Sequence, residues 1–523
     1  MPHLDSTPSL TAKPPLWAIA LALGLLVFLL MGLGQPPLFD VDEGAFSEAT
    51  RGLLSSGDWG HTTLNGLDRF DKPIGVYWLQ ALSGVLLGPT ELAMRLPSAL
   101  ATWLSALALW RFVAGQWGVR TGAWAAIIHV TSFGSWAMAH AATADAVLGL
   151  FLMLSAIDLW RYLQTEDLRA LRRLALWVGA GLLVKGPVAV LIPAASLLIH
   201  CLVSGQWSVC RKALLDVRAW LCMLAMALPW YAYAVWRHGE DFVQGFILKH
   251  NVERFTAPME GHDGHWLYFV IVAPILWMPW TPLLLAWWGR WQALWGHALT
   301  RQALIWTVFV LVFFSFSGTK LPHYGIYAAP GVVLLLTAAL ERMQTWHAGL
   351  CAVALLAWQA LLVGLPWLWM TFPEQVPQAL RPIFRHGLDT LPLGAIATLW
   401  GLLALTSLIW RARMPRLGFA DTLSAMALVH GTVLALVVWP WWANTLQGPI
   451  KSLGLEARNW PSTVGQIGGN WPSFAFYRQQ ALLPKGTPAS LYLAPESQVP
   501  PGARVWAKDK GMVLFQPEAP TRP

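Results

Sequence analysis

The run Pro15 to Gly34, PLWAIALALGLLVFLLMGLG, followed by Gln35-Pro-Pro37 and then the acidic Asp40-Val-Asp-Glu43, decides the class of this chain. About 20 apolar residues are what an α-helix needs to cross the hydrocarbon of a bilayer. The run is too long for the core of a signal peptide, and no small-residue cleavage site follows it before Gln35, so it is expected to be retained as a membrane span. Beyond it lies a long polar loop, 35–90, which carries Phe70-Asp-Lys-Pro73 as well. Charges set beside a span are costly for a merely structural membrane protein. They suit an active site at the membrane surface, where one substrate comes from the lipid and its polar head must be handled.

Composition agrees. Of 523 residues 56% are hydrophobic and 12% charged, with 34 Trp and 36 Pro, more apolar surface than a soluble domain hides, so the chain is a polytopic, all-α membrane protein. Further spans are predicted near 91–110, 121–138, 146–160, 174–188, 188–203, 219–236, 266–288, 302–317, 324–340, 348–370, 391–410 and 421–442, about 13 in all. The stretch Ile74 to Leu87 is apolar but short and is expected to lie on the membrane. With the N-terminus inside, the connections on the cytoplasmic side are basic: Arg111 and Arg120; Arg161, Arg169, Arg172 and Arg173; Arg211, Lys212 and Arg218; Arg290 and Arg301; Arg342; Arg411, Arg413 and Arg416. The formal charge of +8 is therefore mostly topology, and no nucleic-acid surface is needed to explain it. Cys201, Cys210, Cys222 and Cys351 all fall at or near cytoplasmic span ends, so no disulfide framework is expected.

The same topology places the loops 35–90 and 237–265, the turns Ala139–Asp145, Lys185-Gly-Pro187 and Gly318–Tyr324, and the tail from Ala443 on the opposite face. Asp42, Glu43, Lys72, Asp145, Lys185, Arg254, Lys320 and Tyr324 converge there, with basic residues outside against the usual trend, and we take them as candidate site residues. The chain divides into a membrane domain, 1–445, and a small exterior domain, 446–523. In the latter the alternating runs Ser490–Ala494 and Arg504–Gln516 read as strands, the second containing the turn Lys508-Asp-Lys-Gly511, which makes it a small α/β unit. His262-Asp-Gly-His265 reads as a turn, so no metal is called, and no cofactor. The Trp content reads as interfacial anchoring and helix packing. No glycine-rich phosphate loop follows a strand, which argues against a nucleotide-sugar donor.

Several of these stretches form a pattern. Asp42-Glu43-Gly-Ala-Phe-Ser-Glu48, Ser56-Gly-Asp-Trp59, Asn65-Gly-Leu67, Phe70-Asp-Lys-Pro73 and Tyr77-Trp78 resemble the first exterior loop of the bacterial aminoarabinose transferases, within the protein-mannosyltransferase-like group of GT-C fold. The resemblance continues through Val184-Lys-Gly-Pro187, Lys249-His-Asn-Val-Glu-Arg-Phe-Thr256, Phe313-Phe-Ser315, Lys320-Leu-Pro322 and Tyr324, covering roughly 35 to 340 in order. It implies a multi-pass inner-membrane glycosyltransferase that takes a sugar from an undecaprenyl-phosphate carrier on the periplasmic side. The implied sugar is 4-amino-4-deoxy-L-arabinose and the implied acceptor a phosphate of lipid A. It also implies that Asp42 is the essential loop carboxylate, with Glu43 beside it and Asp145 a second exterior carboxylate. Lys72, Arg254 and Tyr324 fall on residues that grip the carrier phosphate, and Lys185 on a basic position near the cavity.

The residue types suit that chemistry. Breaking a sugar–phosphate bond leaves negative charge on the lipid phosphate, which Lys72 and Arg254 can neutralise and Tyr324 can hydrogen-bond. Asp42 is expected either to act as a general base for a hydroxyl acceptor or, where the acceptor is an ionised phosphate, to orient it or to pair with an amino group on the sugar. Two departures stand out: Gly44-Ala45-Phe46 replaces the relatives' usual Thr-Arg-Tyr, and, in the Lys-Pro motif, Arg69 replaces the aromatic before Phe70 and Asp71 the usual Glu. One Arg lost and another gained nearby predicts a reshaped pocket. Alternatives are transfer to another glycolipid or to protein, and, in other classes, a lipid-linked sugar flippase or a scaffold.

Overall fold

The computed structural model describes residues 15–257, 264–340, 342–372, 374, 390–413 and 418–518. Arg416, expected in a cytoplasmic connection, and His262 and Asp263 of the weighed metal motif lie outside the described residues.

Helix α1, Leu16–Leu30, ends just before the first loop, as its apolar run dictates. The loop is itself ordered. Helix α2 (Asp42–Ser56) leads to a hairpin of β1 (Thr63–Leu64) and β2 (Leu67–Asp68), and Pro73 precedes α3 (Gly75–Leu87). The hairpin turns at Asn65-Gly66, both at positive φ (53° and 77°), as a two-residue connection that follows the strand twist requires. Helix α3 buries Val76, Tyr77, Gln80 and Ala81 and exposes Trp78, Leu79, Leu82, Val85 and Leu86. At about 1.5 Å per residue it is too short to cross a bilayer and presents an apolar face outward, as a helix lying on a membrane does.

The membrane region follows: α4 (Glu91–Trp117), α5 (Val119–Thr131), α6 (Phe133–Ala139), α7 (Asp145–Thr165), α8 (Leu168–Lys185), α9 (Val188–Ser204), α10 (Trp207–Leu215) and α11 (Val217–Phe242), then helices 298–316, 329–340, 345–371, 393–413 and 419–433. The protein is a multi-pass membrane protein. Among the described residues seven helices are long and apolar enough to cross a membrane, or eight if the pair Tyr268–Leu276 and Thr281–Trp287, bent by 109°, is one span. The expected count of about 13 is thus not confirmed. Each expected span meets a helix, but several are shorter (Leu16–Leu30, Val188–Ser204), carry charge (Leu168–Lys185) or break, as 121–138 does at Ser132. The stretch 237–265, expected as a loop, stays helical to Thr256, through a kink at Gly239 and the π-helical run Val243–Glu253. Phe242 and Phe246 hold it by packing against Phe70, Trp230 and Tyr231. The four cysteines are free.

Helix Trp439–Glu456 runs across the expected division at 445/446 and ends beneath a sheet of four strands, β3 (Val464–Gln466), β4 (Leu491–Pro495), β5 (Arg504–Asp509) and β6 (Met512–Gln516). The order is β3-β4-β6-β5, with β3 and β4 parallel and the rest antiparallel. Ile450 and Leu453 of that helix share a core with Val464, Phe474, Leu491, Leu493, Met512 and Leu514. A unit this small buries little surface by itself, and it leans on the first loop. Tyr477 Oη accepts from Leu38 N at 2.7 Å and donates to Glu91, and Ser473 N donates to Asp40 Oδ1 at 2.8 Å.

Candidate active site

The site is built where three helix ends meet the first loop. Helices α7 and α8 form an antiparallel hairpin, so the first residue of one lies beside the last residue of the other: Lys185 Nζ donates to Asp145 Oδ1 at 2.5 Å. Asp145, expected in a turn, is the buried N-terminal residue of α7, where the helix dipole favours a carboxylate. Tyr327 Oη also donates to Asp145, His323 Nε2 lies 3.7 Å from it, and the Lys185 ammonium sits 5.1 Å and 5.4 Å from the ring centres of Tyr324 and Tyr327.

Gly75 brings the loop to this cluster. A Cβ there would lie 2.7 Å from the Leu183 carbonyl, so only glycine lets the start of α3, and with it Lys72, close on the end of α8. On the far side, Gly318 N and Thr319 N donate to the carbonyls of Phe255 and Arg254, fixing Arg254 against the turn that bears Tyr324. Lys72, Lys185, Arg254, Tyr324 and Tyr327 line one cavity of about 420 Å³, whose other walls include Leu191, Ile247, Val252, Phe255 and Phe313. Its three cations lie within electrostatic reach of one another, and most of the rest of its wall is apolar. Arg254 Nε is buried without an acceptor among the described residues. Burial, opposed by Asp71 and reinforced by Lys185 and Arg254, pushes the Lys72 ammonium down to about 8. Burial favours the neutral form of Asp71, but a hydrogen bond from His250 (Nε2 to Oδ1, 2.7 Å) and the charges of Arg69 and Lys72 outweigh it and hold the carboxyl well below the usual range.

Asp42, the first residue of α2, is exposed and lines neither this cavity nor the one beside the C-terminal sheet domain, but it lies within electrostatic reach of Arg69 and His323. Glu43 is differently placed. Its two oxygens accept from Arg95 Nε and Nη2, both at 2.7 Å, and from the backbone N–H of Ala142 and Phe39. Arg95 is fully buried and also donates to the carbonyls of Leu33, Pro36 and Pro37. Glu43 is thus enclosed by structural partners. Lys320 does not line the cavity; its ammonium donates to the Ser317 carbonyl at 2.7 Å. Arg69 pairs with Asp71 at 2.8 Å, donates to Tyr77 Oη and lies over the Phe46 ring. Both departures in the loop motif therefore meet in space. Gly44 has its own reason: a Cβ would fall 2.2 Å from Asp40 Oδ1 and 2.5 Å from Ser473 N, where the C-terminal domain docks.

Sequence reading missed Tyr327, His323, His250, Arg95 and Asp40. Tyr327 was within reach, three residues after Tyr324 on one helical turn, and His250 stands inside the quoted 249–256 motif. Nothing local marks Arg95.

Residues 71–233 match the family described as dolichyl-phosphate-mannose-protein mannosyltransferase. A protein of Aeromonas salmonicida named undecaprenyl phosphate-alpha-4-amino-4-deoxy-L-arabinose arabinosyl transferase is 30% identical over 366 residues, 66% of each chain. This chain is a homologue of the aminoarabinose arabinosyl transferases. One from Edwardsiella ictaluri is 28% identical over 79% of this chain and 76% of its own, and one from Pseudomonas fluorescens is 29% identical over 64% and 58%. The chain thus spans about three fifths of the length of some of these transferases. The crystal structure of ArnT from Cupriavidus metallidurans bound to undecaprenyl phosphate superposes with a TM-score of 0.80 over 95% of this chain and 97% of that one, at 18% identity. The fold is that of this family, the GT-C fold expected.

Proposed function

We propose that this protein is an inner-membrane glycosyltransferase that moves 4-amino-4-deoxy-L-arabinose, or a similar sugar, from an undecaprenyl-phosphate carrier to a lipid A phosphate, with its site and C-terminus on the periplasmic face. The carrying observation is the cavity that Lys72, Lys185 and Arg254 share with a largely apolar wall. An isoprenoid chain fits the wall and its phosphate the cations. In the step, an acceptor phosphate oxygen bonds to the anomeric carbon, the bond from that carbon to the carrier phosphate oxygen breaks, and the electron pair leaves with undecaprenyl phosphate. The cations stabilise the charge gathering there. The nucleophile arrives ionised, so no proton need be removed. Asp42, exposed on the same face, is the catalytic carboxylate and holds the sugar or the acceptor. Asp145, bound by Lys185 and Tyr327, keeps the Lys185 ammonium in place, and Glu43 is a positioning residue for α2.

The test is transfer by purified protein from the undecaprenyl-phosphate-linked sugar to lipid A. Asp42→Asn is expected to cut the rate about 10²-fold or more with unchanged folding. More than about a tenth of wild-type activity in this variant refutes the assignment. Complementation of a strain lacking its own transferase, without restored lipid A modification, would move the acceptor to another glycolipid or to protein.

A further inference from the structure

A second and larger cavity, about 840 Å³, lies between the β1–β2 hairpin, the π-helical run and the C-terminal sheet domain. Asp71 and His250 line both cavities, so this cleft opens directly beside the phosphate end of the first. Polar side chains reach its walls from three distant parts of the chain: Asn65 and Arg69, Lys249, then Gln466, Asn470 and Lys485. Three cations face two carboxylates, Asp68 and Asp71, and both carboxylates are already engaged, by His61 at 2.9 Å and by Arg69 and His250. Lys249 and Lys485 are exposed and have no carboxylate partner among the described residues. Asn65 Oδ1 is buried on this wall without a donor among the described residues. The cleft is thus positive in balance, presents the unpaired Asn65 carbonyl oxygen as an acceptor for a sugar hydroxyl, and is within the size range of sites for molecules of sugar-phosphate size. An amino sugar, itself cationic, is disfavoured there.

We propose that this cleft receives the phosphorylated sugar head of the acceptor, with Lys249 and Lys485 as its anion-binding residues. The inference rests on the transfer reaction proposed above, and it gives the C-terminal domain a substrate-binding task. Lys485 comes from that domain, and the Asp40–Ser473 contact sets how far the domain stands from the loop. The donor enters through the first cavity, the acceptor head through the second, and they meet at Asp71 and His250.

Steady-state transfer to bisphosphorylated lipid A in detergent, using full-length protein, tests this. Lys249→Gln with Lys485→Gln is expected to raise the acceptor KM at least tenfold and leave the donor KM within twofold; Lys485→Glu should act more strongly and Lys485→Arg like wild type. An acceptor KM within twofold of wild type, or donor and acceptor KM rising together, would overturn the assignment. Direct binding gives a readout independent of turnover: wild type should prefer bisphosphorylated over dephosphorylated lipid A, and the double variant should lose the preference. Equal binding of the two lipids by wild type would overturn the cleft. A wild type that shows this preference yet transfers nothing would instead overturn the reaction while keeping the cleft.

Discussion

Titration of Lys72 gives the sharpest test of the phosphate grip. Burial and the neighbouring Lys185 and Arg254 hold its ammonium near 8, so in the free protein it is about nine tenths charged at pH 7, half at pH 8 and about a tenth at pH 9. An anion bound beside it favours the charged form and raises the pKa in the complex. Affinity therefore falls as pH rises through the window between the free and bound values, by up to about tenfold per pH unit. Losing one cation of a hydrogen-bonded charge pair costs about 2–5 kcal/mol. Lys72 is only half-buried, so the low end applies, ~2–3 kcal/mol, or about 30–150-fold. Undecaprenyl phosphate is doubly ionised above about pH 7 and adds no slope of its own in this window. Binding of undecaprenyl phosphate to the detergent-solubilised protein should be flat from pH 7 to 7.5 and weaken by one to two orders of magnitude toward pH 10. Lys72→Ala should be weak throughout and meet wild type at high pH, while Lys72→Arg should bind without the decline. A wild-type curve flat to pH 10, or the same decline in Lys72→Arg, would refute the placement of this ammonium against the phosphate.

Glu43→Gln should behave unlike Asp42→Asn: it leaves fully buried Arg95 without its carboxylate, a loss of about 3–5 kcal/mol, and a thermal scan in detergent should show a drop of several degrees where Asp42→Asn shows none. Asp40 is pushed up to about 7, chiefly by burial, so the folded state favours its protonated form; its contribution is greatest below pH 4 and is lost as pH rises to 7. Asp40→Asn, neutral at every pH, should flatten the fall in melting temperature between pH 5 and 7.5, and an unchanged slope would count against the reading. Gly44→Ala places a methyl against Asp40 and Ser473, so limited proteolysis should release the C-terminal domain sooner than in wild type; equal protection would count against the docking contact.

The sequence by itself determined what local composition controls. Apolar runs make helices wherever they are long enough, so the membrane class, the short apolar run of α3 and three of the four strands of the tail were legible, whereas polar α2 and strand β3 were not. The number of crossings was not, because length alone does not say whether 15 or 17 apolar residues span, and Ser132 or the bend after Leu276 breaks runs that hydropathy joins. The cluster was legible as a set of charged residue types out of place, and Lys72, Lys185, Arg254 and Tyr324 stood among them. Only tertiary structure separated Asp42 from Glu43: neighbours on one helical turn point about 100° apart, and Arg95, 52 positions away, claims one of them. Likewise only packing placed Lys320 against a carbonyl, joined Asp145 to Tyr327, and stood Lys485 opposite Lys249. Long-range pairing depends on which helix ends the bundle brings together, and no run of neighbouring residues encodes that.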